Sequence, residues 1–129
     1  MSYQIVNPLG WGVPRGYNHG MLAPAQGRLL FVAGQTARGT PKGDFVEQWA
    51  GALRSVVEVV RAAGGEPHHI GRLTIYVTDM GAYRSNLQAI GDAYRSIMGK
   101  HYPAMALVEV RSLVEPDAMV EIEATAVIP

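Results

Sequence analysis

Apolar residues return at helical spacing along one long stretch of the chain. Phe45, Trp49, Leu53, Val56, Val57 and Val60 fall on one face. Asp44 followed by Glu47 has the form of a capping box, and Gly64-Gly65 with Pro67 stops the run. The pattern predicts a helix from about Phe45 to Ala63. A second stripe, Tyr83, Leu87, Ile90, Tyr94 and Ile97, predicts one helix capped by Asp79 and ended by Gly99. Between the two, Leu73, Ile75 and Val77 alternate with Thr74, Tyr76 and Thr78, which predicts a strand over Arg72 to Thr78. Leu29 to Val32, closed by Ala33-Gly34-Gln35, reads as a short buried strand. Pro103 opens another over about Ala104 to Val110. A turn at 114–117 leads into the last, about Met119 to Ile128. Residues 1–27 read as irregular, with a weak strand over His19 to Ala23, and 36–43 as a loop. The order ββ-α-β-α-ββ, with right-handed crossovers, gives an α/β (α+β) single domain over 1–129. Both helices lie on one face of a mixed sheet.

Two helices cover one sheet face, and little chain remains to cover the other. The strands are read as apolar on both faces, at Leu29 to Ala33, Leu73 to Val77 and Leu107 to Val110. Exposing such a face leaves an apolar patch beyond the usual few hundred Å², so a homo-oligomer that packs its sheets together is expected. A smaller, twisted sheet with modest exposure is the alternative.

Composition narrows the function. The 129 residues carry eleven basic and eleven acidic side chains, and this neutral balance argues against a general nucleic-acid or acidic-membrane binder. Absence of cysteine excludes a disulfide framework, a Cys-ligated zinc site and a thiolate nucleophile. No apolar run approaches the ~18 residues of a membrane span, and the N-terminus shows no signal-peptide pattern. A soluble cytoplasmic domain is expected.

Candidate chemistry lies in two places. In the last strand, Val120, Ile122 and Ala124 share one face, which leaves Glu121 and Glu123 on the other, toward the oligomer interface. A partly buried carboxylate needs a partner or a shifted pKa. Either a general acid/base or a salt bridge to a neighbouring subunit fits. The second place is the turn-rich run Pro14-Arg15-Gly16-Tyr17-Asn18-His19-Gly20. Arg15, Tyr17 and His19 share one face if it is extended, either as a functional loop or as a simple loop cap. No metal site is expected. His68 and His69 are adjacent, so on a strand they diverge, and His101 has no i,i+4 partner. Gly34-Gln35-Thr36 lacks the Lys-Ser/Thr of a phosphate loop, and no G-x-S-x-G elbow occurs. The Trp and Tyr residues of the helical stripes are assigned to the core.

Taken together, several segments resemble the RidA/YjgF family of reactive-intermediate deaminases. They are Gly16-Tyr17-Asn18-His19-Gly20, Leu30-Phe31-Val32-Ala33-Gly34-Gln35-Thr36, Gln48, and Ala62-Ala63-Gly64-Gly65. They continue with Leu73-Thr74-Ile75-Tyr76-Val77-Thr78-Asp79, His101-Tyr102-Pro103-Ala104 and Val120 through Val127. The resemblance spans nearly the whole chain. It implies a chorismate-mutase-like fold, a homotrimer, and small-molecule clefts between subunits without a cofactor. It also implies that active members hydrolyse an enamine or imine to ammonia and a 2-oxo acid. An arginine after the Pro-Ala pair then grips the substrate carboxylate, a glutamate on the final strand positions water, and an early tyrosine lines the cleft.

This sequence matches in part. Tyr17, Gly34 and Glu121 stand at family positions, whereas the arginine position is Met105, a common asparagine is Gly91, and Leu107 replaces a small or thiol side chain. A thioether has neither the charge nor the five donors of a guanidinium. Arg15 is the candidate substitute. Arg111, six residues beyond Met105, is roughly 20 Å away at about 3.3 Å per strand residue. The expected site is therefore Glu121 as water activator, with Arg15, Tyr17, His19, Gly34, Met105 and Leu107 binding the substrate. Three functions are in view: a divergent imine or enamine hydrolase on a less acidic substrate, a non-catalytic binder of a small metabolite or regulatory partner, and a ribonuclease, which the neutral charge disfavours.

Overall fold

The computed structural model describes residues 2–39 and 41–129, so Thr40 of the expected 36–43 loop lies outside the described residues. The elements follow as β1 (Gln4–Val6), β2 (Gly20–Leu22), β3 (Arg28–Gln35), α1 (Phe45–Ala62), β4 (Ile70–Val77), α2 (Met80–Arg84), α3 (Leu87–Met98), β5 (Ala104–Glu109) and β6 (Val120–Ile128). A 3-10 turn, Pro67–His69, enters β4. The main sheet has the order β3-β6-β4-β5, with β4 and β5 parallel and the other neighbours antiparallel.

Local chemistry sets the ends of α1. The Asp44 carboxylate accepts from the Glu47 N–H at 2.9 Å, and the Glu47 carboxylate accepts from the Asp44 N–H at 3.0 Å. Together they satisfy orphan donors of the first turn. Just past the helix, Gly64 takes φ +90°, a conformation costly for any residue with a Cβ. The apolar face of α1 buries Leu53, Val56 and Val60 completely, against Leu73, Ile75 and Val77 of β4 and Val120, Ile122, Ala124 and Ala126 of β6. Each such Leu, Ile or Val contributes about 1.5–3 kcal/mol through its removal from water. Both main helices cover this one side, which we call the closed face; the other is the open face.

Three sequence expectations are corrected. The second helix is two, because Ser85 and Asn86 interrupt it. The Ser85 hydroxyl donates to Gly81 O at 2.8 Å and the Asn86 amide to Ala82 O at 2.7 Å. These side chains occupy carbonyls at the end of α2. Asp79 still caps the N-terminus, accepting from Ala82 N at 3.0 Å. Next, the N-terminal stretch is not wholly irregular. Strand β1 pairs antiparallel with β2. All three β1 residues are exposed, so no alternation marks it in the sequence. Finally, the open face is not apolar throughout. Its centre is polar, with Glu121, Glu123 and Thr125 on β6 in register with Tyr76, Thr74 and Arg72 on β4. Apolar side chains occupy its edges, Leu29 and Phe31 on β3 and Val108 on β5. Arg111 also lies past the end of β5, not on it.

Candidate functional site

A cavity of about 380 Å³ opens on the closed side, between the N-terminal loop, α3 and β5. Its floor follows from sheet register. Met105 pairs with Leu73 and Leu107 with Ile75, and those partners are fully buried under the helices. Met105 and Leu107 therefore point to the helix side, half-buried, where they line the cavity. Tyr94 and Tyr102 form an adjacent wall, their rings stacked at 5.1 Å and 11°. The Tyr94 hydroxyl donates to His101 O at 2.6 Å, and burial pushes its pKa well above the ordinary phenol value. Trp49 and the helical Tyr83 also line the cavity, so these aromatics are not core alone. The Trp49 indole N–H is buried without a partner.

The N-terminal loop is held over this floor by Asn18. Its amide donates to Tyr102 O at 2.7 Å, its backbone N–H donates to Pro103 O at 3.3 Å, and its side-chain oxygen accepts from Asn7 at 2.9 Å. Residue 18 thereby forms a parallel bridge with Ala104. This brings Arg15 and Tyr17 to the same cavity as Met105 and Leu107. Asn18 had no role in the sequence reading, which followed the charged and aromatic residues around it.

Glu121 and Gly34 lie elsewhere. They occupy the open face, so within one chain the sheet separates Glu121 from Met105. Glu121 rests across Gly34, where an added Cβ would come within 2.8 Å of its carboxylate. A side chain at 34 would therefore displace the Glu121 carboxylate. Two residues along, Glu123 accepts from the Tyr76 hydroxyl at 3.3 Å. Desolvation and then the Glu123 charge raise the Tyr76 pKa. His19 is also apart from the first cavity. Gly16 turns the loop with φ +78°, so the run is not extended. The His19 ring meets Tyr17 edge-on at 5.2 Å but lines a second hollow of about 390 Å³, beside Arg72 and Thr125.

The residues from Val13 to Ile128 match the family model described as Endoribonuclease L-PSP. The chain belongs to this family. It is also 35% identical, over 76% of this chain and 78% of that one, to the RutC family protein y4sK of Sinorhizobium fredii. It is 28% identical to the goat (Capra hircus) 2-iminobutanoate/2-iminopropanoate deaminase, over 78% of this chain and 73% of that one. Among solved structures, a Rid-family protein of unknown function, YyfB from Yersinia pestis, superposes with a TM-score of 0.83 at 30% identity, covering 99% of this chain and 100% of that one. The RidA/YjgF resemblance and the fold expected from it thus hold, and this L-PSP family member carries Met105 on its cavity floor.

Arg95 was missed in the sequence. It lines the cavity from α3, four residues after Gly91, which lines it too. The i,i+4 spacing on one helix face was the available signal. No group of three or more His, Cys, Asp or Glu able to hold a metal occurs among the described residues, and no described helix is long and apolar enough to cross a membrane.

Proposed function

We propose that this protein is a small-molecule hydrolase of the imine or enamine type whose substrate is not the standard 2-imino acid. The carrying observation is the division of chemistry between two faces. A largely apolar cavity with Tyr17, Met105 and Leu107 opens on one, and a carboxylate laid over a glycine on the other. The site is complete when the open face of one copy, bearing Gly34 and Glu121, covers the cavity of its neighbour in a homotrimer. The exposed Leu29 and Phe31 support such a cover, at 60% and 74% accessibility. The goat deaminase supplies the reaction class.

In this reading Glu121 takes a proton from water as the oxygen bonds to the imine carbon. The carbinolamine then collapses, the C–N bond breaks, ammonia leaves with the transferred protons, and a carbonyl forms. Tyr17 and the cavity walls orient the substrate. Met105 offers a thioether where a carboxylate next to the imine would need a cation.

A non-catalytic binder is the second reading. It is favoured by one fact: the described residues lining the cavity include no His, Asp or Glu. The two separate in one assay. Imines of increasing apolar bulk are generated in situ by an amine oxidase, and ammonia release is followed. Hydrolysis predicts acceleration that falls about 10²–10⁴-fold in Glu121→Gln, the range for loss of a general base. Binding of the parent amines without acceleration of any imine overturns the hydrolase.

A further inference from the structure

The lining of the cavity carries two guanidinium groups, from Arg15 on the N-terminal loop and Arg95 on α3, and no lining side chain among the described residues is acidic. A half-exposed Arg95 has one ion pair among the described residues, i,i+3 with Asp92 at 2.5 Å. That pair uses Nη2 and leaves the other guanidinium donors free for a ligand. The guanidinium lies over Gly91, where an added Cβ would sit 3.5 Å from Nη1, already in van der Waals contact. A side chain longer than alanine at 91 would compete for that space, so glycine there leaves room for the Arg95 guanidinium beside the cavity. The rest of the lining is largely apolar and aromatic, including Leu87, Ile90 and Tyr83.

We infer that Arg95, with Arg15, anchors the acid group of a ligand whose apolar or aromatic body fills the cavity, so the substrate class is an organic acid with its carboxylate set apart from the reacting carbon. The inference rests on the cavity being the ligand site of the proposed function, and it adds which end of the ligand goes where. Three features converge on it. Two cations, Arg15 and Arg95, line the hollow, and no anionic side chain among the described residues does. The volume of about 380 Å³ corresponds to roughly a dozen water-sized units, room for a ring and a short chain. The half-buried Tyr102, stacked on the buried Tyr94, puts aromatic surface in the lining. A short 2-imino acid places its carboxylate one bond from the imine, so a guanidinium that grips it leaves no apolar body to fill the remaining cavity.

The test is calorimetry with 3-phenylpropanoate and its neutral counterpart 3-phenylpropanamide, which share shape and differ in charge. The wild type should bind the acid about tenfold tighter than the amide, the size of one charge-assisted contact. Arg95→Gln should remove that preference while leaving amide affinity unchanged. Asp92→Asn, which removes the competing carboxylate, should tighten the acid alone by about two- to fivefold. Arg84→Gln, an exposed arginine of α2 that does not line the cavity, should change neither. Arg95 is 54% exposed, so its replacement spares the core. Equal binding of acid and amide, or an acid affinity untouched in Arg95→Gln, overturns the inference and leaves the cavity reading standing. Binding of neither probe overturns both.

Discussion

The two faces of the sheet are built from the same strands and have opposite chemistry. On the closed face, Leu73, Ile75, Val77, Val120 and Ile122 are at most 1% exposed and meet the helices. On the open face, the alternate residues of the same strands are Thr74, Tyr76, Glu121 and Glu123, with Leu29 and Phe31 at the β3 edge. A face that only had to meet water would need neither the exposed Phe31 nor a glycine cleared for a carboxylate. A face meant only for a core would not carry Glu121 and Glu123. The contrast teaches that the closed face specifies the fold, while the open face is shaped for something placed against it.

The sharpest way to break this comparison is to truncate one residue from each side. Ile75→Ala should cost about 2–5 kcal/mol, the range for emptying a packed core site, as a fall in the urea midpoint. Phe31→Ala, at a position 74% exposed, should cost the isolated protomer less than about 0.5 kcal/mol. It should instead shift sedimentation from a trimer toward monomer. A Phe31→Ala protein that stays assembled, or a wild type that runs as a 13.9 kDa protomer at micromolar concentration, removes the assembled site.

Gly34→Ala probes the open face alone. The atoms it would strike are the movable end of Glu121, so stability should drop by less than about 1 kcal/mol, well below a core clash. Turnover should fall about 10–100-fold, as expected when a reacting group is misplaced. In a Glu121→Gln background the same change should cost little more, since both act through one carboxylate. Additive losses would detach Gly34 from Glu121.

On the closed face, Met105→Arg puts a cation on the cavity floor. Affinity for 2-oxobutyrate, measured by calorimetry, should rise about tenfold, one ion-pair increment, while Met105→Gln, similar in size and neutral, should not reproduce it. Equal affinity in both variants would mean that the floor is not where a short acid binds.

The smallest effect is a pH slope. His101 is half-buried, and its ring nitrogen donates to Ile70 O at 2.6 Å. Desolvation lowers its pKa from the ordinary 6.5. The folded chain then takes up a proton less readily than the unfolded chain. Its contribution is fully present above about 6.5 and declines as pH falls below it. Urea titrations from pH 7.5 to 5 should show stability decreasing toward acid, with a shallower slope in His101→Gln. An unchanged slope would assign the titration to another group, His69 first, whose pKa is also lowered by desolvation.

Legibility in the sequence followed burial. The α1 helix emerged from its periodicity and cap, because one face is buried along its length. Strand β6 emerged from its alternation. The break at Ser85 and Asn86 was hidden, since the apolar stripe continues across it and only side-chain bonds to Gly81 and Ala82 reveal it. Strand β1 was hidden for the opposite reason, having no buried face. In the site, Tyr17, Met105 and Leu107 line one cavity of a single chain, while the sheet puts Glu121 on the other face and the Gly16 turn sends His19 to a second hollow. Alternation fixes the face of a strand residue but says nothing of which copy's face meets it.

The Asn18 clamp ties the two ends of the site to each other in energy as well as space. Through it the N-terminal segment is fastened to the entrance of β5 by two hydrogen bonds, and a third, from Asn7, holds the Asn18 side chain in place. A ligand that needs Arg15 and Tyr17 in place favours the clamped state, and by mass action it must hold the clamp shut in proportion to its occupancy. Amide exchange at 15–19 should therefore slow with added ligand even where the core strands show no change, so the N-terminal segment reports cavity occupancy without turnover or an engineered label.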